Sequence, residues 1–283
     1  MSSAEVAARI VKELTYEEVN VLKSFSMLIP NYETIDEDIL ATKGKMHIDR
    51  VRFALDRLNE KNLIARYKGG YVLLSSGLDA IVLKILAEND VLYGLGRAIG
   101  IGKEADVFEG IYKDERLAIK FFRIGRISFR DVRKRSYDAH SWLMMNINAA
   151  RQEFEILKML YGEVRVPKPI INVKHVIVMQ LIDGDRLTNI RLEEPEKVLL
   201  SLLEEIRKVY KKGIISADLS EYNVLYDGND VWLIDFPQAI RLEHPNALQL
   251  LRRDIKNILA YFERKYKVKY SLENALSYIT STA

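Results

Sequence analysis

The sequence predicts an α+β fold in two parts, on three observations. Helical spacing of apolar residues dominates residues 1–91, and a strand pair joined by Lys-Gly-Gly follows the third helical run. Near Val91 the glycine density rises abruptly and strand patterns begin. Three helices followed by a hairpin predict a winged-helix domain with a linker helix over residues 1–91. Residues 92–283 form the second predicted domain, with an N-terminal lobe over about 92–182 and a C-terminal lobe over about 183–283.

Each element of the winged helix has its own sequence signal. Apolar residues recur every third or fourth position over residues 16–29, and Pro30 ends that helix. A short second helix is predicted to start at Thr34, because Thr34 and Glu37 have the spacing of a capping box. The elements predicted next are an amphipathic, basic helix over residues 48–58, strands over 63–66 and 71–74, and a linker helix over 78–88.

The second domain is predicted to begin with a small antiparallel sheet, because glycine and charged turns separate three strand-like runs. A long helix, a β-branched strand, a leucine-rich helix, a hairpin and two closing helices follow. The predicted elements are strands over residues 97–101, 107–111 and 117–122, a helix over 142–160, a strand over 175–179, a helix over 194–212, the hairpin of 223–226 with 231–234, and helices over 246–265 and 272–279.

Composition excludes several classes of protein. The chain has 283 residues, 48% of them hydrophobic, which is enough to fill a sizeable core. It has no cysteine, which excludes disulfide scaffolds, thiol nucleophiles, thiolate zinc sites and iron–sulfur clusters. A net charge of +3 means that any basic surface must be local. No apolar run has the length that spans a bilayer, so we expect a cytoplasmic protein without membrane association.

The first motif that can carry chemistry is Gly100-Ile101-Gly102-Lys103-Glu104-Ala105-Asp106-Val107. Glycines in a turn between strands let backbone N–H groups approach a polyphosphate, because no side chain blocks them. Ala105 takes the place of the third glycine in G-x-G-x-x-G, and the alternation after it predicts a strand. A dinucleotide-binding fold, which needs a helix there, is therefore disfavoured. An ordinary glycine hairpin turn is the alternative interpretation.

Lys120 stands in an otherwise apolar strand, Leu117-Ala118-Ile119-Lys120. A buried lysine needs an anionic partner, and a triphosphate together with a carboxylate on a helix would supply one. We choose Glu153 on the following long helix as that carboxylate, and Glu155 is the alternative. The other interpretation is a lysine that snorkels at the edge of a sheet.

The most specific signal runs from Asp218 to Asp235. An Asp-Gly turn folds residues 223–226 back on 231–234, which brings Asn223 and Asp235 to the same open end of the hairpin, within roughly 5 Å. Asp218 enters that end from the preceding loop. An amide oxygen beside a carboxylate suits Mg²⁺, which takes its remaining ligands from water and phosphates. A second carboxylate can accept a hydroxyl proton, so the segment is suited to phosphoryl transfer.

Together these motifs resemble the RIO family of atypical serine/threonine protein kinases. The resemblance rests on the glycine turn with Lys103-Glu104-Ala105-Asp106, on the loop Asp218-x-x-x-x-Asn223, and on Asp235-Phe236-Pro237-Gln238, where proline replaces the glycine of ordinary kinases. The N-terminal winged helix points to the second, winged-helix-containing branch, so the resemblance covers essentially the whole chain. It implies a winged helix followed by a trimmed two-lobe protein-kinase-like (RIO) domain.

The resemblance also implies roles for the motif residues. Asp218 matches the catalytic-loop aspartate, Asn223 and Asp235 match the metal ligands, and Asp235 is also implicated in accepting phosphate. The implied cofactors are ATP and Mg²⁺, with Mn²⁺ as a substitute. The implied activity is autophosphorylation and ATP hydrolysis coupled to maturation of the small ribosomal subunit. The residues implied to bind ATP are Gly100, Gly102, Lys103, Glu104, Ala105, Asp106 and Val107, the phosphate-positioning pair Lys120 and Glu153, and the adenine-binding hinge Met179, Gln180 and Ile182.

Two positions depart from the usual kinase pattern. Ser216 stands two residues before Asp218, where kinases usually have histidine, and Ala105 replaces the third glycine. Neither departure removes a group that handles phosphate or metal, so the enzymatic interpretation stands. Only 48 residues follow Asp235, too few for an activation segment together with peptide-binding helices, and they contain no Ala-Pro-Glu motif. We therefore expect no peptide-docking groove.

Two segments carry dense basic charge. Residues 116–135 hold eight Lys and Arg against one acidic residue, and residues 42–68 hold eight against three. We expect RNA phosphates to bind a loop of the first segment and the recognition helix and wing of the second. A solvated loop and a protein-docking winged helix are the alternatives. Ser128 is the candidate for autophosphorylation, and the nucleic-acid candidates are Lys45, Arg50, Arg52, Arg57, Arg126, Arg130, Arg133, Lys134 and Arg135.

The expected partner is the pre-small ribosomal subunit, through its rRNA and ribosomal proteins, and we expect a monomer. Two rival functions differ in class. A small-molecule phosphotransferase with a kinase-like fold would also lack an activation segment, but it gives no reason for a winged helix. A nucleotide-gated RNA-binding protein without turnover is the second rival, and the serine at position 216 keeps it open.

Overall fold

The structure is a computed structural model that describes residues 2–113, 115–125 and 138–281, with side chains from residue 142 onward in the last range. The chain forms two compact units, Met1–Ala150 with Asn172–Val178 and Arg151–Ile171 with Met179–Ala283. The first unit holds the winged-helix elements together with strands beyond residue 92. The compact units thus group residues differently from the predicted boundaries at 91/92 and 182/183, which stay predictions.

The first unit opens with the helices and hairpin that the sequence predicts, preceded by a short helix that it does not. Thr15 and Glu18 form a capping box, in which each side chain accepts the backbone N–H of the other, and this fixes where the second helix starts. The elements are α1 (Ser3–Ile10), α2 (Tyr16–Leu28), α3 (Glu37–Gly44), α4 (Ile48–Glu60), β1 (Ile64–Tyr67), β2 (Gly70–Leu73) and α5 (Ser75–Glu88).

The predicted capping box of Thr34 and Glu37 is wrong. Helix α3 starts at Glu37, and its N-cap is Asp36, whose carboxylate accepts the N–H of Ile39 at 2.8 Å. Ile35 instead makes an antiparallel bridge with Tyr71, through two backbone hydrogen bonds of 2.9 Å. The segment before α3 is therefore tied to the wing, and a competing Asx cap nearer to the helix takes over the role of Thr34.

The wing is a two-residue hairpin. Strands β1 and β2 pair antiparallel, with Tyr67 opposite Gly70 at the turn. Lys68 and Gly69 both adopt positive φ, 44° and 81°. A turn with two left-handed residues matches the right-handed twist of the strands, and the glycine accommodates that backbone without strain.

A five-stranded sheet follows in the order β3-β4-β5-β7-β6. In β4 and β5 the antiparallel register sets Val107 opposite Lys120. The predicted antiparallel strands are confirmed, whereas β6 has no counterpart in the sequence prediction. The bounds are β3 (Gly94–Ile101), β4 (Ala105–Tyr112), β5 (Glu115–Phe122), α6 (Asp138–Leu160), β6 (Pro169–Val173) and β7 (Val176–Gln180).

In its described residues, the second unit contains three α-helices and two small sheets besides the end of α6. The sheets have the orders β11-β10-β8 and β12-β9. Helices and hairpin lie where the periodicity predicts them, but the two-residue strands β8, β9 and β12 are too short to leave a pattern. The bounds are β8 (Asp185–Arg186), α7 (Pro195–Lys211), β9 (Ile214–Ile215), β10 (Val224–Tyr226), β11 (Val231–Leu233), β12 (Ile240–Arg241), α8 (Ala247–Tyr266) and α9 (Leu272–Thr280).

Among the residues that the structure describes, no helix is both long and apolar enough to cross a membrane.

Candidate active site

The glycine turn joins β3 to β4. Ile101 pairs with Asp106, and the Gly102 N–H donates to the Ala105 carbonyl at 2.9 Å across the turn. A Cβ on Gly102 would come within 3.1 Å of that carbonyl, so glycine allows the tight approach. Lys103 and Glu104 are exposed. Because a strand and not a helix follows, the structure agrees with the sequence in disfavouring a dinucleotide-binding fold.

Lys120 is buried in β5, as the sequence predicts, with 4% exposure. Its Nζ lies 4.7 Å from the centroid of the Phe122 ring, a cation–π distance. Glu153 on α6 is also buried, with 1% exposure. The lysine and the glutamate belong to different compact units, and their pairing stays a prediction.

The predicted hinge lies at the end of β7. Met179 and Ile182 are buried, while Gln180 is exposed. The backbone N–H of Gln180 donates to the Lys168 carbonyl at 2.9 Å, which fixes the end of the strand. Buried apolar side chains are what an adenine-binding segment requires.

The predicted hairpin near the carboxylates is confirmed. Strands β10 and β11 pair with Val224 opposite Leu233, and Ile234 N–H donates to the Asn223 carbonyl at 3.0 Å. Asp235 follows directly, so it leaves the hairpin at the end where Asn223 enters it. The Asn223 side-chain Nδ2 donates to the Asp218 carbonyl at 2.9 Å. Asp218, Asn223 and Asp235, here called the carboxylate cluster, therefore meet at one end of the hairpin.

The electrostatics of the carboxylate cluster favour a proton acceptor. Partial burial and the neighbouring charge of Asp235 raise the pKa of Asp218, against a lowering by Arg253. Asp235 has φ 73° and Ala217, beside Asp218, has φ 58°. Non-glycine residues in this left-handed region are strained, and such strain concentrates at functional sites.

Two α8 residues that the sequence analysis missed hold the loop at Asp218. A guanidinium nitrogen of Arg253 donates to the Ala217 carbonyl and contacts Asp254 Oδ1 at 3.3 Å. Burial raises the pKa of Asp254 to about 6, although the N–H groups of Leu219 and Ala217 lower it. The available signal is an aspartate on the apolar face of α8, three residues after Leu251.

The donor set of the carboxylate cluster fits Mg²⁺. The Nδ2 of Asn223 donates to the backbone, which leaves Oδ1 as the acceptor atom of this side chain, at the end of the hairpin that Asp235 follows. Within the described ranges, no three His, Cys, Asp or Glu side chains come together in a way that could hold a metal ion. Two hard oxygen ligands are what Mg²⁺ needs when phosphates and water complete its shell.

Only some of the candidate residues for nucleic-acid binding and autophosphorylation lie among the residues that the structure describes. Ser128, Arg126, Arg130, Arg133, Lys134 and Arg135 lie outside the described residues. On the winged helix, most candidates have acidic partners in α2 and α3, and Lys45 caps α3 with φ 50°. The ion pairs are Arg50 with Glu17 at 3.9 Å, Arg52 with Glu37 at 2.7 Å and Arg57 with Glu18 at 3.0 Å.

Comparison with protein families gives two matches on this chain. The RIO domain matches residues 106–275, and the Rio2 N-terminal domain matches residues 11–89. Among curated proteins, the RIO-type serine/threonine-protein kinase Rio2 of Methanocaldococcus jannaschii is 37% identical over 268 residues, which cover 88% of this chain and 99% of that protein. The serine/threonine-protein kinase rio2 of Schizosaccharomyces pombe is 31% identical, over 94% of this chain and 81% of its own.

A solved structure supports the same conclusion. The crystal structure of the Rio2 kinase–ADP/Mg²⁺–phosphoaspartate complex from Chaetomium thermophilum has a TM-score of 0.85 and 30% identity, covering 95% of this chain and 87% of that one. The predicted α+β fold, a winged-helix domain followed by a RIO kinase-like domain, is confirmed. With both of its domains matched, the chain belongs to the RIO family of atypical serine/threonine protein kinases, in the branch that carries the Rio2 N-terminal domain.

Proposed function

We propose that the chain is an ATP- and Mg²⁺-dependent kinase and ATPase that phosphorylates itself and acts in maturation of the small ribosomal subunit. The carboxylate cluster carries this proposal, because it sets a proton-accepting aspartate beside two hard oxygen ligands. The bound ADP and Mg²⁺ in the related Chaetomium thermophilum kinase support the same cofactors here.

The chain's residues divide the work of phosphoryl transfer. Asn223 and Asp235 hold Mg²⁺, which neutralises charge on the phosphates when bound. Asp218, whose pKa is raised, accepts the proton of an attacking hydroxyl group. The glycine turn and Lys120, paired with Glu153, orient the phosphates, and Met179, Gln180 and Ile182 bind the adenine.

Asp235 has a second proposed role, as phosphate acceptor. One carboxylate oxygen attacks the γ-phosphorus, the bond to the β,γ-bridging oxygen breaks, and ADP leaves with that electron pair. Water then hydrolyses the acyl phosphate to aspartate and inorganic phosphate, which completes an ATPase cycle. The phosphoaspartate in the crystallised relative supports this sequence of steps.

Incubation with γ-labelled ATP and Mg²⁺ tests the proposal. We expect phosphate release and protein-bound label in the wild type, and loss of both in Asp235→Asn and Asp218→Ala with folding intact. Asp230→Asn, at the turn end of the same hairpin, is the matched control and keeps activity.

The chemical lability of the label identifies the phosphorylated group. Hydroxylamine-sensitive label indicates an acyl phosphate, and stable label indicates a phosphoserine such as Ser128. Full activity in Asp235→Asn contradicts the assignment, and ATP binding without turnover favours a nucleotide-gated binding protein.

The ribosomal role rests on the basic charge of the winged helix. The side chains of Arg50 and Arg52 are 72% and 54% exposed, even though they pair with carboxylates. Exposed ion pairs contribute little, so RNA phosphates can replace the carboxylates at small cost. Lys45 adds a further exposed cation.

Salt-dependent binding of small-subunit rRNA tests this role. The double variant Lys45→Ala/Arg50→Ala should bind more weakly and reduce the slope of log affinity against log salt by about two, one for each lost phosphate contact. Lys197→Ala, an exposed lysine on α7, is the control. Equal affinity and slope in the double variant and the wild type contradict RNA binding by the winged helix.

A further inference from the structure

Four buried titratable side chains meet in the first compact unit. Asp79 of α5, Asp106 of β4, Arg123 after β5 and His175 before β7 are each at most 2% exposed. They are here called the Arg123 cluster. Nothing in the phosphoryl-transfer chemistry proposed above requires Asp79, Arg123 or His175.

The hydrogen bonds of the Arg123 cluster are directional. The guanidinium makes a forked pair with Asp79, Nη1 to Oδ1 at 3.0 Å and Nη2 to Oδ2 at 2.8 Å. Its Nε donates to Asp106 Oδ2 at 3.1 Å, and its Cζ lies 5.2 Å from the Phe121 ring centroid. A planar fork held between two carboxylates and an aromatic face has one orientation, unlike an apolar contact.

His175 completes the cluster as a neutral donor. Its Nε2 lies 2.7 Å from Asp79 Oδ1, so Nε2 carries the proton. Within the described part of the chain, its buried Nδ1 has no hydrogen-bond partner. Burial lowers the pKa of His175, although Asp79 opposes this. Asp79 thus accepts three directed hydrogen bonds, two from Arg123 and one from His175.

The Arg123 cluster connects α5 to the glycine turn. Asp79 belongs to the helix that ends the matched Rio2 N-terminal domain. Asp106 immediately follows the turn, and the Arg123 backbone N–H donates to the carbonyl of Glu104, inside the turn, at 2.6 Å. Arg123 therefore contacts the end of the glycine turn that leads into β4 twice, at Asp106 through its side chain and at Glu104 through its main chain. It also stands three residues after Lys120.

We propose that Arg123, oriented by Asp79, is a positioning residue for nucleotide binding that transmits the placement of α5 to the glycine turn. Replacing buried ion pairs with apolar residues often leaves stability unchanged or increases it, so stability alone does not explain such a cluster. A turn that must present its backbone to phosphates gains from a fixed orientation. The proposal rests on the proposed function, because it takes residues 100–107 as the phosphate-binding segment.

The test compares nucleotide affinity with stability. Asp79→Asn keeps the shape of the side chain but removes its charge, and Arg123→Lys keeps the charge but removes the fork. Leu22→Ala, at a fully buried position of α2, is the control that destabilises the same unit without touching the cluster. For each folded variant, calorimetry gives the Kd of a non-hydrolysable ATP analogue with Mg²⁺, and phosphate release gives kcat and KM.

We expect Kd and KM to rise about tenfold or more in both cluster variants, with kcat within about twofold of the wild type. Leu22→Ala should lose stability and keep the wild-type Kd. A wild-type Kd in the cluster variants overturns the positioning role and leaves the proposed function intact. If Asp79→Asn does not fold, Arg123→Lys decides alone. If the wild type itself does not bind the analogue, the proposed function fails, and this inference fails with it.

Discussion

Two aspartates, one in each compact unit, respond to burial in opposite ways. Asp79 on α5 and Asp254 on α8 are 0% and 2% exposed, and burial by itself raises the pKa of any carboxyl group. At Asp79, Arg123 and His175 outweigh burial and hold the pKa below its usual value. At Asp254, burial outweighs the neighbouring donors, and the pKa rises to about 6.

The difference lies in the donors and not in the burial. Asp79 has three directed hydrogen bonds of 2.7–3.0 Å. Asp254 has a contact with Arg253 at 3.3 Å and hydrogen bonds from the backbone N–H groups of Leu219 and Ala217, but in the described structure its Oδ2 has no hydrogen-bond partner. The hydrogen bonds at Asp79 keep that carboxylate charged and in one orientation. Asp254 remains a carboxyl group that can gain a proton, in contact with the loop that carries Asp218.

The largest expected effect comes from removing each arginine in turn. Arg123→Met leaves Asp79 and Asp106 buried beside an uncharged side chain, and should cost about 3–5 kcal/mol of unfolding free energy. Arg253→Met, at a half-exposed side chain, should cost only about 1 kcal/mol. Variants that keep a single tryptophan report each unit separately in urea, because Trp142 lies in the first and Trp232 in the second. Equal losses would contradict the comparison.

Two glycines, one in each compact unit, sharpen the comparison. A Cβ on Gly77 of α5 would lie 2.1 Å from the Leu63 carbonyl, whereas a Cβ on Gly213, with φ 76°, meets no described atom within 4 Å. Gly77→Ala should cost about 3 kcal/mol by overpacking, and Gly213→Ala about 1 kcal/mol by backbone strain alone. Urea unfolding followed at Trp142 and Trp232 measures both. A Gly77→Ala variant as stable as the wild type would mean that α5 is free to shift.

Local signals account for most of the predicted fold. The spacing of apolar residues locates α2, α4, α7 and α8, because one face of each helix is buried. The Asp-Gly turn predicts the hairpin of the carboxylate cluster, because a connection as short as residues 227–230 fixes the register of the two strands. The two-residue strands and the true cap of α3 depend on neighbours that are distant in sequence or on competing caps, so no local pattern reveals them.

The candidate site was predictable only in part. The carboxylate cluster lies within 18 residues of sequence, Asp218 to Asp235, so a single local hairpin brings its members together. Asp79 and Arg123 are 44 residues apart, and their pairing requires that the fold bring α5 to the residue that follows β5. The sequence does show an acidic residue in an apolar segment, because Asp79 lies among Leu78, Ala80 and Ile81 on α5. Such a residue indicates a buried carboxylate that needs a partner.

A smaller effect is expected from the pH dependence of Asp254. Its folded pKa of about 6 exceeds its ordinary value of 3.8, so between these pH values the folded state binds more protons than the unfolded state. Stability should therefore fall by about 2 kcal/mol as pH rises from 4 to 7. In Asp254→Asn this fall should disappear, as measured by urea unfolding at Trp232. Asp79 has the opposite sign, because its lowered pKa gives stability that is lost in acid.

The smallest effect is expected at Glu18, which lies between the two cases. Its side chain is fully buried, but its partners Arg57 and Lys61 reach solvent, with 42% and 19% exposure. Burial raises the pKa of Glu18, but hydrogen bonds and charge from Lys61, Thr15 and Arg57 lower it further, so the net shift is downward. The stability that Glu18 contributes is therefore present above pH 4.5 and is lost as pH falls through the pKa of the folded state. Glu18→Gln keeps the cap on Thr15, since glutamine also fits a capping box, and removes only the charge. It should cost about 1 kcal/mol at pH 7, less in 1 M salt and progressively less as pH falls through the folded pKa of Glu18, in urea unfolding followed at Trp142. A loss as large as that of Arg123→Met would show that exposed partners can hold a buried carboxylate as firmly as a closed cluster does.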